Sequence, residues 1–149
     1  MRFYSQLITV FFNHVKFLVV TLGLFASSHA QADTLTITVQ NIVDRSGDIM
    51  LAVVNEAAFN EKGEPAVQAI LQPMNNQVVF RTDSILAGVY AVKVMHDVNG
   101  NGELDTNFVG MPTEPFGFSN NARGNFGPPT LADSKLTVNG DTAIAIRME

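Results

Sequence analysis

The stretch "AGVYAVKVMHD", residues 87–97, decides how this chain folds. Tyr90, Val92, Val94 and His96 fall on one side of a two-residue period, and Val89, Ala91, Lys93 and Met95 fall on the other. Successive side chains of a β-strand point to opposite faces, so this spacing is that of a strand. Upstream, "LTITVQNI" (35–42) alternates in the same way. "DRSG" (44–47) supplies turn residues, and "DIMLAVVN" (48–55) is apolar on both faces, which suits a central strand. A charged connection with room for a helical turn, "EAAFNEKGEPA" (56–66), leads to two shorter strands at 67–72 and 77–82. Downstream, "KLTVNGDTAIAIRM" (135–148) places two strands around Asn139-Gly140, a dipeptide favoured in tight hairpin turns.

Seven short strands, frequent turn signals and no convincing helix predict an all-β fold. The expected architecture is a single antiparallel β-sandwich, immunoglobulin-like or transthyretin/prealbumin-like, with one long ordered loop. That loop, residues 97–133, holds six of the eleven glycines and four of the six prolines. It also carries Phe108, Phe116, Phe118 and Phe126, which are expected to pack the segment down. Long ordered loops inside small domains often serve function.

The sandwich is expected over residues 33–149, preceded by a cleaved signal peptide over 1–32. Arg2 and Lys16 are the only charged residues before Asp33. An unbroken apolar run, "FLVVTLGLFA" (17–26), then gives way to "SSHAQAD", in which Ala30-Gln31-Ala32 fits an A-x-A cleavage site. Cleavage after Ala32 is the first choice and after Ala30 the second. A membrane span needs ~20 apolar residues. "NHVK" (13–16) interrupts such a run, so a periplasmic or secreted location without stable membrane insertion is expected. The remaining chain carries seven basic and fourteen acidic residues, a net of −7. Such a balance opposes nucleic acid and anionic lipid as partners. Cysteine is absent, which excludes disulfides and a cysteine nucleophile. About 117 residues suffice to bury a core without such crosslinks. A monomer is expected.

The segment "DVNGNGELD" (97–105) has the spacing of a cation loop. Calcium takes six to eight oxygens, and helix-loop-helix calcium sites draw them from positions 1, 3, 5, 7 and 9, with glycine at position 6. Here those positions are Asp97, Asn99, Asn101, the Glu103 carbonyl and Asp105, with Gly102 at the turn. The opening "DVNGNG" resembles a dockerin loop. Phe108 stands at position 12, where an acidic residue is required, so further oxygens have to come from water or from Glu114 or Asp133. A weak calcium site is one reading. Asp and Asn accepting hydrogen bonds from their own backbone in successive turns is the other.

The block "GVYAVKVMHDVNGNGELDTNFVGMPTEPFGFSNNARGNFGPP" (88–129) resembles the bacterial domain of unknown function 2141 family. The resemblance extends over most of the chain after residue 32. It implies an exported β-sandwich and carries over no catalytic residue.

Other chemistry is sparse. His96 is the single histidine beyond residue 32, which excludes a multi-histidine metal site and fits a strand-end side chain bonded to backbone. With no tryptophan, an aromatic sugar platform has only the loop phenylalanines to draw on. Arg123 is the one basic residue between Lys93 and Lys135, and it is expected to tie the loop to carbonyls, Asp105 or Glu114, or to meet an acidic ligand. Together these features predict a non-enzymatic exported domain. Its calcium-stabilised loop would offer Phe116, Phe118, Arg123 and Phe126 to a protein or cell-envelope partner. The rival readings are a small hydrolase using the Asp97, Glu103 and Asp105 carboxylates, and a structural accessory domain without a ligand.

Overall fold

The computed structural model describes residues 33–125 and 127–149. The expected signal peptide and Phe126 lie outside the described residues. Two sheets pack face to face as a β-sandwich. One has the strand order β4-β1-β8, formed by Gln77–Ile85 (β4), Asp33–Gln40 (β1) and Thr142–Arg147 (β8). The other has Val67–Leu71 (β3), Asp48–Val54 (β2), Gly88–Asp97 (β5) and Phe116–Phe118 (β6) side by side, with Leu136–Val138 (β7) also on β5. Two one-turn helices, Glu56–Phe59 (α1) and Leu131–Ser134 (α2), lie in the connections. Asn55 caps α1 by accepting the Ala58 N–H at 2.9 Å, and Thr130 caps α2. Among the described residues no helix is long and apolar enough to cross a membrane.

The two-residue period sorts the core as expected. Val92, Val94 and His96 of β5 point inward, opposite Val53, Leu51 and Ile49 of β2. Leu35, Ile37 and Val39 face them from β1, and Ile146 of β8 and Met148 just beyond it close the core. β2 is central, between β3 and β5.

Two expectations are corrected. Asn139-Gly140 does not make a hairpin, because β7 pairs with β5 while β8 runs parallel to β1 in the opposite sheet. The turn, with Gly140 at φ +79, hands the chain from one sheet to the other, and one of the six strand pairings is parallel. An eighth strand, β6, lies inside the supposed loop. It is three residues long, too short for any period to register. β6 and β7 share one edge of β5, and the gap between them falls at Val92, whose N–H is accepted by the Ser119 hydroxyl at 2.9 Å. Ser119 is fully buried and donates in turn to the Ser134 carbonyl, so a side chain completes the ladder where no strand does.

The segment after β8 joins the two sheets along one side. Met148 donates to the Gln40 carbonyl at 2.9 Å, and Glu149 and Phe116 exchange backbone hydrogen bonds at 3.0 and 3.3 Å. Gly117 makes this approach possible, since a Cβ there would lie 2.8 Å from Ile146 Cγ2 and 3.1 Å from the Arg147 carbonyl oxygen.

Candidate functional site

Beyond β5 the chain forms two stacked turns, each organised by one side chain. Asp97 is 3% exposed, and its carboxylate accepts three backbone N–H groups. Oδ1 takes those of Gly100 at 2.8 Å and Asn101 at 3.0 Å, and Oδ2 takes that of Gly102 at 2.7 Å. Asn99 and Asn101 accept from the backbone of Asn101 and Glu103, at 3.0 and 2.8 Å. Their amide groups both donate to Asp105, at 2.6 and 3.1 Å. The positive φ of Gly100 and Gly102 lets the backbone wrap the carboxylate.

The structure thus gathers Asp97, Asn99, Asn101 and Asp105 as the spacing predicted, but with their oxygens engaged inside the loop. Two neutral amide donors thus meet the Asp105 carboxylate. Glu103 is exposed, and its backbone N–H serves the turn. Among the described residues, no three His, Asp or Glu side chains converge as a metal cluster. Asp133 is too far to contribute. It bonds Thr130 in α2, beside Ser119 and Val92, some five residues back along β5, or ~17 Å at strand spacing.

Glu114 has a different role from that of a spare ligand. It is buried, and its two carboxylate oxygens accept the N–H groups of Val98 at 2.7 Å and Asp105 at 3.0 Å. It therefore clamps both ends of the first turn. Asn107 builds the second turn, its side-chain oxygen accepting from Val109 and Met111, both at 3.0 Å, while its N–H meets the Met111 carbonyl at 2.8 Å. Phe108 at the tip is 100% exposed, which overturns the expectation that it packs down. The turn directs it away from the sandwich.

Phe116 and Phe118 belong to β6 and face outward, half-buried, with ring centroids 6.2 Å apart in an edge-to-face pair. Strand register places Phe116 beside Met95, Met95 beside Met50, and Met50 beside Ile70. A second row runs Phe118, Lys93, Ala52 and Gln68. Together with Leu104 from the loop, these side chains line a groove of about 580 Å³ on the outer face of the sheet. Lys93 lies half-buried in it, its ammonium 4.5 Å from the centre of the Phe59 ring and donating to the Phe59 carbonyl at 3.2 Å. The outward face of the opposite sheet is of another kind. It carries Thr36, Thr38, Gln40, Gln77, Arg81 and Arg147, with Val79 and two alanines as the apolar positions. One outer face is thus built for water and the other is not.

A second cleft, of about 560 Å³, adjoins the groove and shares Leu104, Phe116 and Phe118 with it. Arg123 lies on this cleft, but its partner is the Glu149 side chain and neither Asp105 nor Glu114. Phe116, Phe118 and Arg123, expected from the sequence to form a surface, line these clefts together with Met50, Ile70 and Met95, which the sequence did not single out. The signal for these was the apolar character of both faces of 48–55, which was ascribed to central position alone. His96, 1% exposed, takes the bland role expected of it, with Nε2 2.8 Å from the Ser46 carbonyl oxygen.

No curated protein matches this chain, nor does any solved structure. A family model described as "Uncharacterized protein conserved in bacteria (DUF2141)" matches residues 37–145, from the first core strand into the last. The match takes in both turns, the groove and the two sheets, and the chain belongs to this bacterial family.

Proposed function

We propose that this chain is an exported, non-enzymatic binding domain. Its groove on the outer face of β3, β2, β5 and β6 receives an elongated apolar segment of a protein or another cell-envelope component. The contrast between the two outward faces carries this reading. Exposed sheet faces of antiparallel sandwiches are ordinarily polar, as the β4-β1-β8 face is. A continuous row of Ile70, Met50, Met95 and Phe116 costs solubility unless something covers it. Methionine suits a surface that adapts to its ligand, because its unbranched thioether chain repacks easily. Arg123 and the aromatic pair extend the surface into the second cleft. The N-terminal sequence pattern supports a periplasmic or secreted location, with the domain acting as a monomer.

The loop of residues 97–105 serves this surface by fixing Leu104 and the strand that follows. Its own hydrogen bonds hold it, and calcium adds a weak further stabilisation through Asp97, Asn99, Asn101, the Glu103 carbonyl and Asp105. The bound cation would supply positive charge to the Asp105 carboxylate in place of the two amide donors. A hydrolase is the less favoured reading, because the Asp97 carboxylate is buried and accepts three backbone N–H groups.

Titration with the apolar dye N-phenyl-1-naphthylamine tests the groove. Saturable fluorescence enhancement is expected. Met50→Lys with Met95→Lys should abolish it, whereas Thr36→Lys with Thr38→Lys should leave it intact. Equal binding by both double variants would remove the groove as the ligand site.

A further inference from the structure

The turn at residues 107–111 has properties that the groove does not explain. Phe108 is 100% exposed, Val109 64% and Met111 55%, so three large apolar side chains project from one tight turn. The turn is not loose. Asn107 ties it with two side-chain bonds, the Asn107 N–H reaches the Met111 carbonyl, and Thr106 and Pro112 form an isolated β-bridge at its base. Below that bridge Thr113 donates to the Asp105 carbonyl at 2.8 Å, and Glu114 anchors the Asp105 N–H. The fold therefore holds a rigid, convex apolar knob in water, where concealing it would have been the cheaper arrangement. No side chain from Thr106 to Thr113 ionises, so the whole tip can leave water without stranding a charge. The cleft behind Val109 and Met111 is lined by Arg123, whose guanidinium is paired with the Glu149 carboxylate on the same cleft, so no unbalanced charge adjoins the tip there.

We propose that this knob inserts into the interfacial zone of a lipid bilayer, with Phe108, Val109 and Met111 among the acyl chains. An uncharged apolar tip on an otherwise charged and polar domain matches the layering of that interface, apolar inside and polar outside. A convex tip also suits a deformable medium, whereas a protein partner would have to provide a matching pocket. The domain's net charge of −7 makes zwitterionic lipid the preferred surface. Three side chains bring weak, reversible attachment of the kind a single acyl chain gives. The contact orients the groove near the membrane while the sandwich stays outside it. This inference stands on the turn and does not depend on what the groove holds.

The chain contains no tryptophan, so one placed at the tip reports on its own surroundings. Purified protein carrying Phe108→Trp is mixed with vesicles of phosphatidylcholine and phosphatidylethanolamine. Its emission is expected to shift to the blue and to be quenched by lipids brominated along the acyl chains. Leu86→Trp, exposed in the connection at the opposite end of β5, is expected to show neither change. Phe108→Ser should lower the vesicle-bound fraction by about tenfold, the effect of withholding one large apolar side chain from burial. Its thermal melt should be unchanged, because Phe108 is fully exposed in the fold. The groove variant with lysine at 50 and 95 should bind vesicles normally, which separates this test from that of the groove. Unaltered Phe108→Trp emission, or an equal shift at position 86, would overturn the proposal. So would a blue shift that appears without vesicles and grows with protein concentration, which would assign the knob to a second copy of the chain.

Discussion

Asp97 and Glu114 illustrate how carboxylates can act as structural acceptors rather than as ligands or catalysts. Each is buried, and each is satisfied by backbone N–H groups that would otherwise lack partners. Glu114→Ala would leave the N–H groups of Val98 and Asp105 without an acceptor, at about 1–3 kcal/mol for each group that stays buried. Denaturant unfolding should register this as a lower midpoint with little change in slope. Calcium is tested at the same scale. With two loop carboxylates and no acid at position 12, an affinity of about 0.1–1 mM is expected, the range of weak extracellular sites. At a hundred times the dissociation constant the gain would be about 2.7 kcal/mol. Melts with calcium and with chelator should therefore separate, and Asp97→Ala should remove the difference. Superimposable melts at about 10 mM calcium, roughly ten times the weakest expected constant, would leave the turn to its hydrogen bonds alone. The sequence made Asp97, Asn99, Asn101 and Asp105 legible as a unit, because their spacing is local. It did not reveal which groups their oxygens meet. Asn and Asp serve a cation and a backbone turn with the same atoms.

Among the elements, the extents of β2 and β5 were readable almost to the residue, β5 from a two-residue period over ten positions and β2 from an apolar run of strand length between turn formers. β6 was not, being three residues long and set among turn formers. Its existence depends on partners distant in sequence, β5 on one side and Glu149 on the other. Gly117 shows the same dependence. Its lack of a side chain allows Ile146 and Arg147 to approach, a requirement no local pattern encodes. Gly117→Ala is expected to cost about 1–3 kcal/mol through overpacking at this seam. Hydrogen exchange should show faster opening of the Glu149 and Phe116 amides than of the β2 amides. Unchanged stability and exchange would mean that β8 has room to shift. The failed hairpin at Asn139-Gly140 has a related cause. The dipeptide encodes a tight reversal, but strand pairing beyond it is decided by which sheet has an open edge.

For the molecule as a whole, the fold class and the position of the core followed from patterning, charge and the lack of cysteine. The apolar outer face did not, because an apolar residue on a strand reads as core until the register shows which side it faces. Leu51 is buried and pairs with Val94, whereas Met50, one position earlier and equally apolar in sequence, lines the outer groove. Two faces of one domain therefore make the decisive comparison. Site-specific incorporation of a photo-crosslinking amino acid at Met50 or Met95, and separately at Thr36 or Thr38, in bacteria exporting the protein tests the account most directly. After illumination, discrete crosslinked adducts are expected from the Met50 and Met95 positions and none from Thr36 and Thr38. Adducts distributed equally over both faces, or found at the threonine positions alone, would contradict it.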